Sequence, residues 1–301
     1  MNHFLTLMDC TSEEIVNLLD VADQLKYENK HGIPHKHLDG KTLGMIFAKS
    51  STRTRVSFEV GMYQLGGQAL FLSSSDIQLG RGEPVRDTAR VLSRYLDGIM
   101  IRTFKQSDVE ELAAYGSIPI INGLTDYCHP CQVLADLQTI REYKKSFDGL
   151  KLTFIGDGNN MANSLIVGTI KMGMKCAIAC PKTHQPDEAL MKWGFETGLL
   201  TVTDNIEEAA AGADVLYTDV WASMGQEAEA ERRKKIFAGY QINSKVIAAA
   251  NPDAMVLHCL PAHRGEEITE EVLEKHADNI FDEAENRLHA QKAVMLTLMK
   301  K

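Results

Sequence analysis

The chain is 301 residues long, with a hydrophobic share of 44% and a formal net charge of −9. That length fits two domains of about 150 residues each, and the acidic balance argues against nucleic acid or an anionic membrane surface as partner. The cysteines (Cys10, Cys128, Cys131, Cys176, Cys180, Cys259) are too scattered for a disulfide scaffold. Cys128 and Cys131 form a Cys-x-x-Cys, but no second pair lies at zinc-ribbon spacing, so no metal is expected. The start, Met1-Asn2-His3-Phe4, lacks the charged and apolar regions of a signal peptide, and no apolar run reaches about 18 residues. The expected location is the cytoplasm.

Taken in chain order, Thr11-Ser12-Glu13-Glu14 reads as a capping box opening a helix with Ile15, Leu18, Leu19 and Ala22 on one face. Strands are predicted at Leu43–Phe47, Ala69–Leu72, Gly98–Ile101 and Ile118–Ile121, with helices at Pro84–Leu96 and Asp108–Tyr115 among them. A helix from Pro130 to about Lys144 marks the boundary. A second series of strands follows at Leu152–Ile155, Lys175–Ala179, Leu200–Val202, Val215–Thr218 and Met255–His258, and a final helix runs from about Ala284 to Lys300. Strands separated by helices predict an α/β fold of two domains, each a parallel β-sheet flanked by helices, joined by a hinge helix. The expected bounds are 1–144 and 145–284, with the C-terminal helix 285–301 packing back on the first domain. Ligands should meet the carboxyl ends of the strands, in a cleft between the lobes.

Lys49-Ser50-Ser51-Thr52-Arg53-Thr54-Arg55 follows the first of these strands and opens an apolar-periodic helix. Unpaired backbone N–H groups, the positive helix end and guanidinium forks together make an anion site, with a phosphate group as the natural ligand. The blander alternative is a helix cap with two solvated arginines. Leu152-Thr153-Phe154-Ile155-Gly156-Asp157-Gly158-Asn159-Asn160 imitates a dinucleotide fingerprint, but Met161 stands at the third glycine and no acid closes the next strand. No nicotinamide or other cofactor is therefore expected. Asn160 can instead present its amide to a carboxylate or amine. Gly40-Lys41-Thr42 lacks the upstream glycine of a phosphate loop, and Trp221-Ala222-Ser223-Met224-Gly225 has only half of a nucleophile elbow. His129 and Gln132, three apart at a helix start, can face one ligand. Asp219 ends a strand. Cys259, beside His258, reads as nucleophile, metal ligand or inert buried thiol.

Ser51-Thr52-Arg53-Thr54-Arg55 resembles the carbamoyl phosphate signature of the aspartate and ornithine carbamoyltransferases. The resemblance continues, in the family's order, through Asp87-Thr88-Ala89-Arg90-Val91, His129-Pro130-Cys131-Gln132 and Gly156–Asn160. It ends with Asp219–Gly225, His258-Cys259-Leu260-Pro261 and Glu283-Ala284-Glu285-Asn286-Arg287. The last three look like the ornithine branch. The aspartate branch would carry a lysine around Leu79-Gly80-Arg81-Gly82-Glu83, where this chain has Arg81.

The resemblance implies transfer of a carbamoyl group from carbamoyl phosphate to the δ-amine of L-ornithine. It implies Ser51, Thr52, Arg53 and Thr54 around the phosphate, Arg102 and His129 at the carbonyl oxygen, Gln132 at the carbamoyl amine, and Arg287 nearby. Arg55 is expected to support the loop. Asn160, Asp219, Ser223 and Met224 would hold the amino-acid end of ornithine, and Cys259 and the Leu260 carbonyl the δ-nitrogen. Cys259 with Asp219 is the candidate for lowering or taking its proton. By the same resemblance the unit is a homotrimer whose Gln78 reaches a neighbour's site, and the loop at Ser223-Met224-Gly225 moves as the ornithine domain closes. Alternatives are a carbamoyltransferase for putrescine or an N-acylated ornithine, and a non-catalytic phosphometabolite-binding protein.

Overall fold

Thr11 opens the first helix as its capping box requires: the hydroxyl accepts from Glu14 N at 3.1 Å, and Glu14 Oε2 accepts from Thr11 N at 3.0 Å. The computed structural model describes residues 1–222 and 229–300. Its first elements are α1 (Ser12–Lys30), β1 (Thr42–Phe47), α2 (Thr52–Gln64), β2 (Gln68–Ser73), a 3-10 turn (Gln78–Arg81) and α3 (Val85–Leu92). Then come β3 (Gly98–Arg102), α4 (Gln106–Tyr115), β4 (Ile120–Leu124) and α5 (Pro130–Lys144). The second series is β5 (Lys151–Ile155), α6 (Asn160–Lys171), β6 (Lys175–Ala179), α7 (Glu188–Glu196), β7 (Leu200–Thr203), α8 (Ile206–Ala210) and β8 (Val215–Thr218). The chain closes with α9 (Ala230–Phe237), α10 (Ser244–Ala249), β9 (Met255–His258), α11 (Glu270–Lys275) and α12 (Ala277–Met299). Among the described residues, no helix is long and apolar enough to cross a membrane.

The chain divides into two units, Met1–Gln138 with Asn286–Lys301, and Thr139–Glu285. The division falls inside α5, whereas the sequence places it at 144/145. Buried side chains on the early turns of α5 hold them to the first unit: Gln138 donates to Asp23 at 3.0 Å. β4 starts at Ile120 because Pro119, with no N–H, cannot join the ladder and contributes only its carbonyl, to Ile99 N. α12 begins at Ala277, upstream of the expected Ala284, since its first turns carry polar residues that an apolar stripe does not reveal.

In the first unit a parallel sheet has the order β2-β1-β3-β4. Its inner strands β1 and β3 are buried along almost their whole length, which accounts for the unbroken runs Leu-Gly-Met-Ile-Phe and Gly-Ile-Met-Ile. One face packs Ile46, Ile99 and Ile101 against Ala89, Val109 and Leu112 of α3 and α4. The C-terminal part of α12 packs back on α2 within this unit. Arg287 donates to Thr54 Oγ1 at 3.0 Å, Ser57 to Gln291 at 2.5 Å, and Lys292 to Gln64 at 2.8 Å. The spacing of 287 and 291 is one helical turn, so one face of α12 reads one face of α2.

The second unit has a parallel sheet of order β7-β6-β5-β8-β9. Ile155, Ala177, Ala179, Leu216 and Val256 pack against Ala209, Val246, Val272 and Leu273 of the flanking helices. Asn159, Asp187, Asn205, Asn243 and Thr269 each accept backbone N–H bonds at the starts of α6, α7, α8, α10 and α11. In both sheets the strand order reverses beside the first strand, between β1 and β3 and between β5 and β8. Such a switch point leaves a crevice outside the carboxyl ends. The residues singled out from sequence cluster there.

Candidate active site

At the first switch point, Ser51 leaves β1 in extended conformation and caps α2, its hydroxyl accepting from Thr54 N at 3.2 Å. No acidic residue occupies the first turn of α2, so its N–H groups and dipole face the ligand side uncompensated. Thr54 is fully buried, and its hydroxyl oxygen accepts from Ser51 at 3.1 Å, Arg287 at 3.0 Å and Arg102 at 3.5 Å. Arg102 ends β3, where the parallel register sets it beside Phe47 at the end of β1. One threonine thus orients guanidinium groups from β3 and α12.

His129 and Gln132 sit at the start of α5, both buried. The pKa of His129 is held well below the usual 6.5, first by burial and then by Arg287, Arg102 and Arg53. The imidazole is therefore neutral and able to donate an N–H. That influence also shows three positive charges converging on one place, an arrangement able to hold a multiply charged anion. Gln132 Nε2 donates to Asp136 at 2.9 Å, which turns its amide oxygen into the acceptor on the other side. Arg55 pairs with Glu59 at 3.1 Å and lies 3.8 Å from the centre of the Phe71 ring. Gln78 is exposed at the head of the 3-10 turn, and no hydrogen bond among the described residues ties its side chain to this group.

At the second switch point, Asp219 follows β8 and Cys259 follows β9. The Cys259 thiol donates to Asp219 Oδ1 at 3.1 Å, Val220 N donates to the same oxygen at 2.8 Å, and Asn159 Nδ2 donates to Oδ2 at 3.0 Å. Asp219 is nearly buried, so its charge is carried by these donors. Asn160 stands at the first position of α6, half-buried. Ser223 and Met224 lie outside the described residues.

Several residues that shape this group were given no role of their own in the sequence reading. Asn159 was overshadowed by its neighbour, although it both caps α6 and reaches Asp219. Glu283 is fully buried and accepts from Tyr217 Oη at 3.1 Å and from His258 N at 2.8 Å, tying the ends of β8 and β9 together. His258 Nδ1 accepts from Leu260 N at 2.9 Å, so its proton lies on Nε2, which donates to Glu267 Oε1 at 3.1 Å. Leu260 has φ +54 and precedes a cis bond to Pro261; the His258 ring holds that turn at its amide. Arg233 of α9 bonds both Asp157 after β5 and the Trp221 carbonyl after β8. Only an N-cap signature, at Asn159, was legible in advance. Among the described residues, Asp219 and Cys259 belong to no cluster of three metal-ligating side chains.

Comparisons with known proteins agree with this arrangement. The carbamoyl-P binding domain of aspartate/ornithine carbamoyltransferase matches residues 2–142, and the Asp/Orn binding domain matches residues 148–298. An ornithine carbamoyltransferase of Pelobacter propionicus is 56% identical over 299 residues, covering 99% of this chain and 98% of that protein. The solved structure of the ornithine carbamoyltransferase of Pyrococcus furiosus superposes with a TM-score of 0.94 at 52% identity, covering 99% of this chain and 97% of the other. The anabolic ornithine carbamoyltransferase of Campylobacter jejuni gives 0.93 at 47% identity, covering 99% of each chain.

Proposed function

This chain belongs to the aspartate/ornithine carbamoyltransferase family, and from that membership we propose that it transfers the carbamoyl group of carbamoyl phosphate to the δ-amine of L-ornithine. The products are L-citrulline and phosphate, a step of arginine biosynthesis. The observation that carries the ornithine assignment is the Asn159–Asp219–Cys259 group, with its charged carboxylate and adjoining thiol.

The first unit takes the donor. The phosphate sits on the N-terminus of α2, against Ser51, Thr52, Arg53 and Thr54, with Arg287 held toward it by Thr54. The carbonyl oxygen accepts from Arg102 and from the neutral His129. Donors fixed in advance on an oxygen that gains charge in the tetrahedral intermediate act mainly on the transition state, and one such donor is typically worth about 2.7–4 kcal/mol. Gln132 Oε1 accepts from the carbamoyl NH2, fixing which face of the carbonyl is presented.

The second unit takes the acceptor. Asp219 binds the α-ammonium, and Asn160 the α-carboxylate, with Ser223 and Met224 completing that end. The δ-nitrogen lies against Cys259 and the Leu260 carbonyl. An alkylammonium has a pKa of about 10.4, so the amine must lose a proton before attack. That proton passes to the Cys259–Asp219 pair, with the Asp219 carboxylate as its acceptor. After attack the C–O bond to phosphate breaks, the electron pair leaves with phosphate, and the phosphate takes the proton released by the nitrogen. No separate general acid is required.

By the same family reading, the active assembly is a cytoplasmic homotrimer, and the exposed Gln78 is supplied to a neighbouring copy's donor site. The deciding assay compares citrulline-type product formation with L-ornithine, putrescine and N-acetyl-ornithine. Turnover at least about a hundredfold faster with ornithine supports the assignment. A preference for putrescine removes the role of Asp219 and Asn160, and a folded protein that binds carbamoyl phosphate without any turnover removes the reaction.

A further inference from the structure

We propose that Glu267 is a positioning residue for carbamoyl transfer, acting through His258 on the turn that carries Cys259 and Leu260. This role rests on the reading above, in which that turn meets the δ-nitrogen of ornithine. Neither the His258 nor the Glu267 side chain has any exposed area, so their influence on a substrate has to pass through the backbone they hold. The chain around Glu267 fixes its place. Its carbonyl accepts from Ile242 N at 2.8 Å, and the next residue, Ile268, is fully buried.

The contacts run in a line from carboxylate to turn. Glu267 Oε1 accepts from His258 Nε2 at 3.1 Å and from His263 N at 2.5 Å. A carboxylate oxygen only accepts, so the imidazole keeps its proton on Nε2 and presents Nδ1 as an acceptor. Nδ1 takes the Leu260 N–H at 2.9 Å. In the opposite tautomer two N–H groups would face each other across that gap, and the bond would be lost. The contact spans residues i and i+2, so it closes a ring around the Cys259 backbone in the manner of an Asx-turn. Leu260 takes φ +54, which residues with a β-carbon rarely adopt, and the closed ring opposes its relaxation.

Two further bonds fix the flanks of the turn. His258 N donates to Glu283 Oε2 at 2.8 Å, and the Cys259 thiol donates to Asp219 Oδ1 at 3.1 Å. Neither involves the Leu260 amide, whose hydrogen bond goes to His258. Glu267 thus controls the tautomer and tilt of one ring, and through it the placement of the Leu260 carbonyl beside the Cys259 thiol. Reaction geometry is sensitive at this scale: a displacement of about 1 Å, caused by a residue away from the chemistry, can lower a rate about a hundredfold. Loss of the Glu267 hold should therefore show in turnover of ornithine. It should leave carbamoyl phosphate binding intact, because the residues assigned to that substrate lie in the first unit. A purely structural role would instead lower the amount of folded enzyme without changing kcat per site.

The test is steady-state kinetics and carbamoyl phosphate binding on full-length enzyme carrying Glu267→Gln, alone and together with His258→Asn. The amide introduced by Glu267→Gln donates as well as accepts, so the His258 tautomer is no longer enforced. The amide oxygen introduced by His258→Asn accepts from Leu260 N with no tautomer to control, so it should make the first substitution immaterial. In the wild-type background Glu267→Gln is expected to lower kcat for ornithine at least about tenfold, with the Kd and stoichiometry of carbamoyl phosphate unchanged. In the His258→Asn background the same change is expected to alter kcat less than about twofold. Alkylation by iodoacetamide needs no turnover: Cys259 is partly exposed while the other five cysteines are buried, and Glu267→Gln should speed its reaction severalfold. If Glu267→Gln does not fold, Glu267→Asp, whose shorter carboxylate reaches less far toward His258, is read in the same way. An equal loss in both backgrounds, a loss shared by carbamoyl phosphate affinity, or kcat and Cys259 alkylation both unchanged overturns the proposal. If wild type turns over no amine, the alkylation comparison between the two backgrounds still decides the positioning role, so its failure and that of the ornithine reading are separable.

Discussion

The thiol of Cys259 stands 3.1 Å from Oδ1 of Asp219, the two residues lying just past the carboxyl ends of the paired parallel strands β9 and β8. The register Thr218↔His258 sets the next residue of each strand side by side, so the pair is produced by the sheet and not by loop packing. A thiol that donates to this carboxylate is a protonated thiol, and the proposed role of the Asp219 carboxylate charge is to meet the α-ammonium of ornithine. Asp219→Asn removes that charge with little change of shape. We expect KM for ornithine to rise roughly ten- to a hundredfold, the loss of one charge-assisted bond of about 1.5–3 kcal/mol, with carbamoyl phosphate binding unchanged. Cys259→Ala is expected to lower kcat and move its pH profile; steady-state kinetics from pH 6 to 10 decide it, and an unmoved profile would remove Cys259 from proton handling.

Thr54 predicts a different split. Its hydroxyl orients Arg102 and Arg287, so the isosteric Thr54→Val leaves two buried guanidinium groups without that acceptor. Carbamoyl phosphate affinity should fall about tenfold or more, with ornithine KM little affected once the donor site is saturated. Thr54→Ser restores most of the loss if the hydroxyl is responsible. Equal damage in both variants would show that the methyl packing mattered instead.

His129 predicts a pH dependence of stability. Its folded pKa is depressed below the ordinary 6.5 by burial and by Arg287, Arg102 and Arg53. The unfolded chain therefore binds a proton that the folded chain refuses, and stability present above about pH 6.5 is lost as the pH falls. Wild type should weaken relative to His129→Gln between pH 6.5 and 5, with a limiting slope of about 1.4 kcal/mol per pH unit. Urea unfolding of both proteins at several pH values measures the difference, and parallel curves would contradict it.

Gly158 predicts a steric failure. A Cβ there would meet Gln185 C and Pro186 N at 2.3 Å and His184 O at 2.5 Å, all backbone atoms. Gly158→Ala must displace either the 184–186 segment or the start of α6, where Asn159 and Asn160 stand. We expect a loss of about 1–3 kcal/mol or more in unfolding free energy, accompanied by a higher ornithine KM. Gly173→Ala, with φ +74 but nothing within 4 Å of its Cβ, is the control for backbone strain alone.

The alternation of strands and helices was legible because the inner strands of parallel sheets are apolar along their length, and the grouping at the start of α2 because hydroxyl and arginine residues stand together in Ser51–Arg55. What could not be read was anything created by strand neighbours distant in sequence. Glu283 and His258 lie in quoted motifs, yet their role in joining the strand ends shows only once the sheet brings β8 and β9 together. The division inside α5 was hidden for a related reason: a continuous helical pattern shows no break, and only the bond from Gln138 to Asp23 reveals which side its early turns serve.

Helix α12 belongs to both units, its first turns with Glu283 in the second and its remainder from Asn286 in the first. The consequence lies in the order of biosynthesis. Residues 139–285 form an uninterrupted stretch, whereas the first unit needs segments from both sides of it. On the ribosome, where domains form as their residues emerge, the sheet that carries Asp219 and Cys259 has its whole complement of chain first. The donor pocket begun by Ser51–Thr54 waits for Arg287, nearly 240 residues later in translation, before its guanidinium set is complete. The half-site whose residues are translated first is thus among the last to become able to bind.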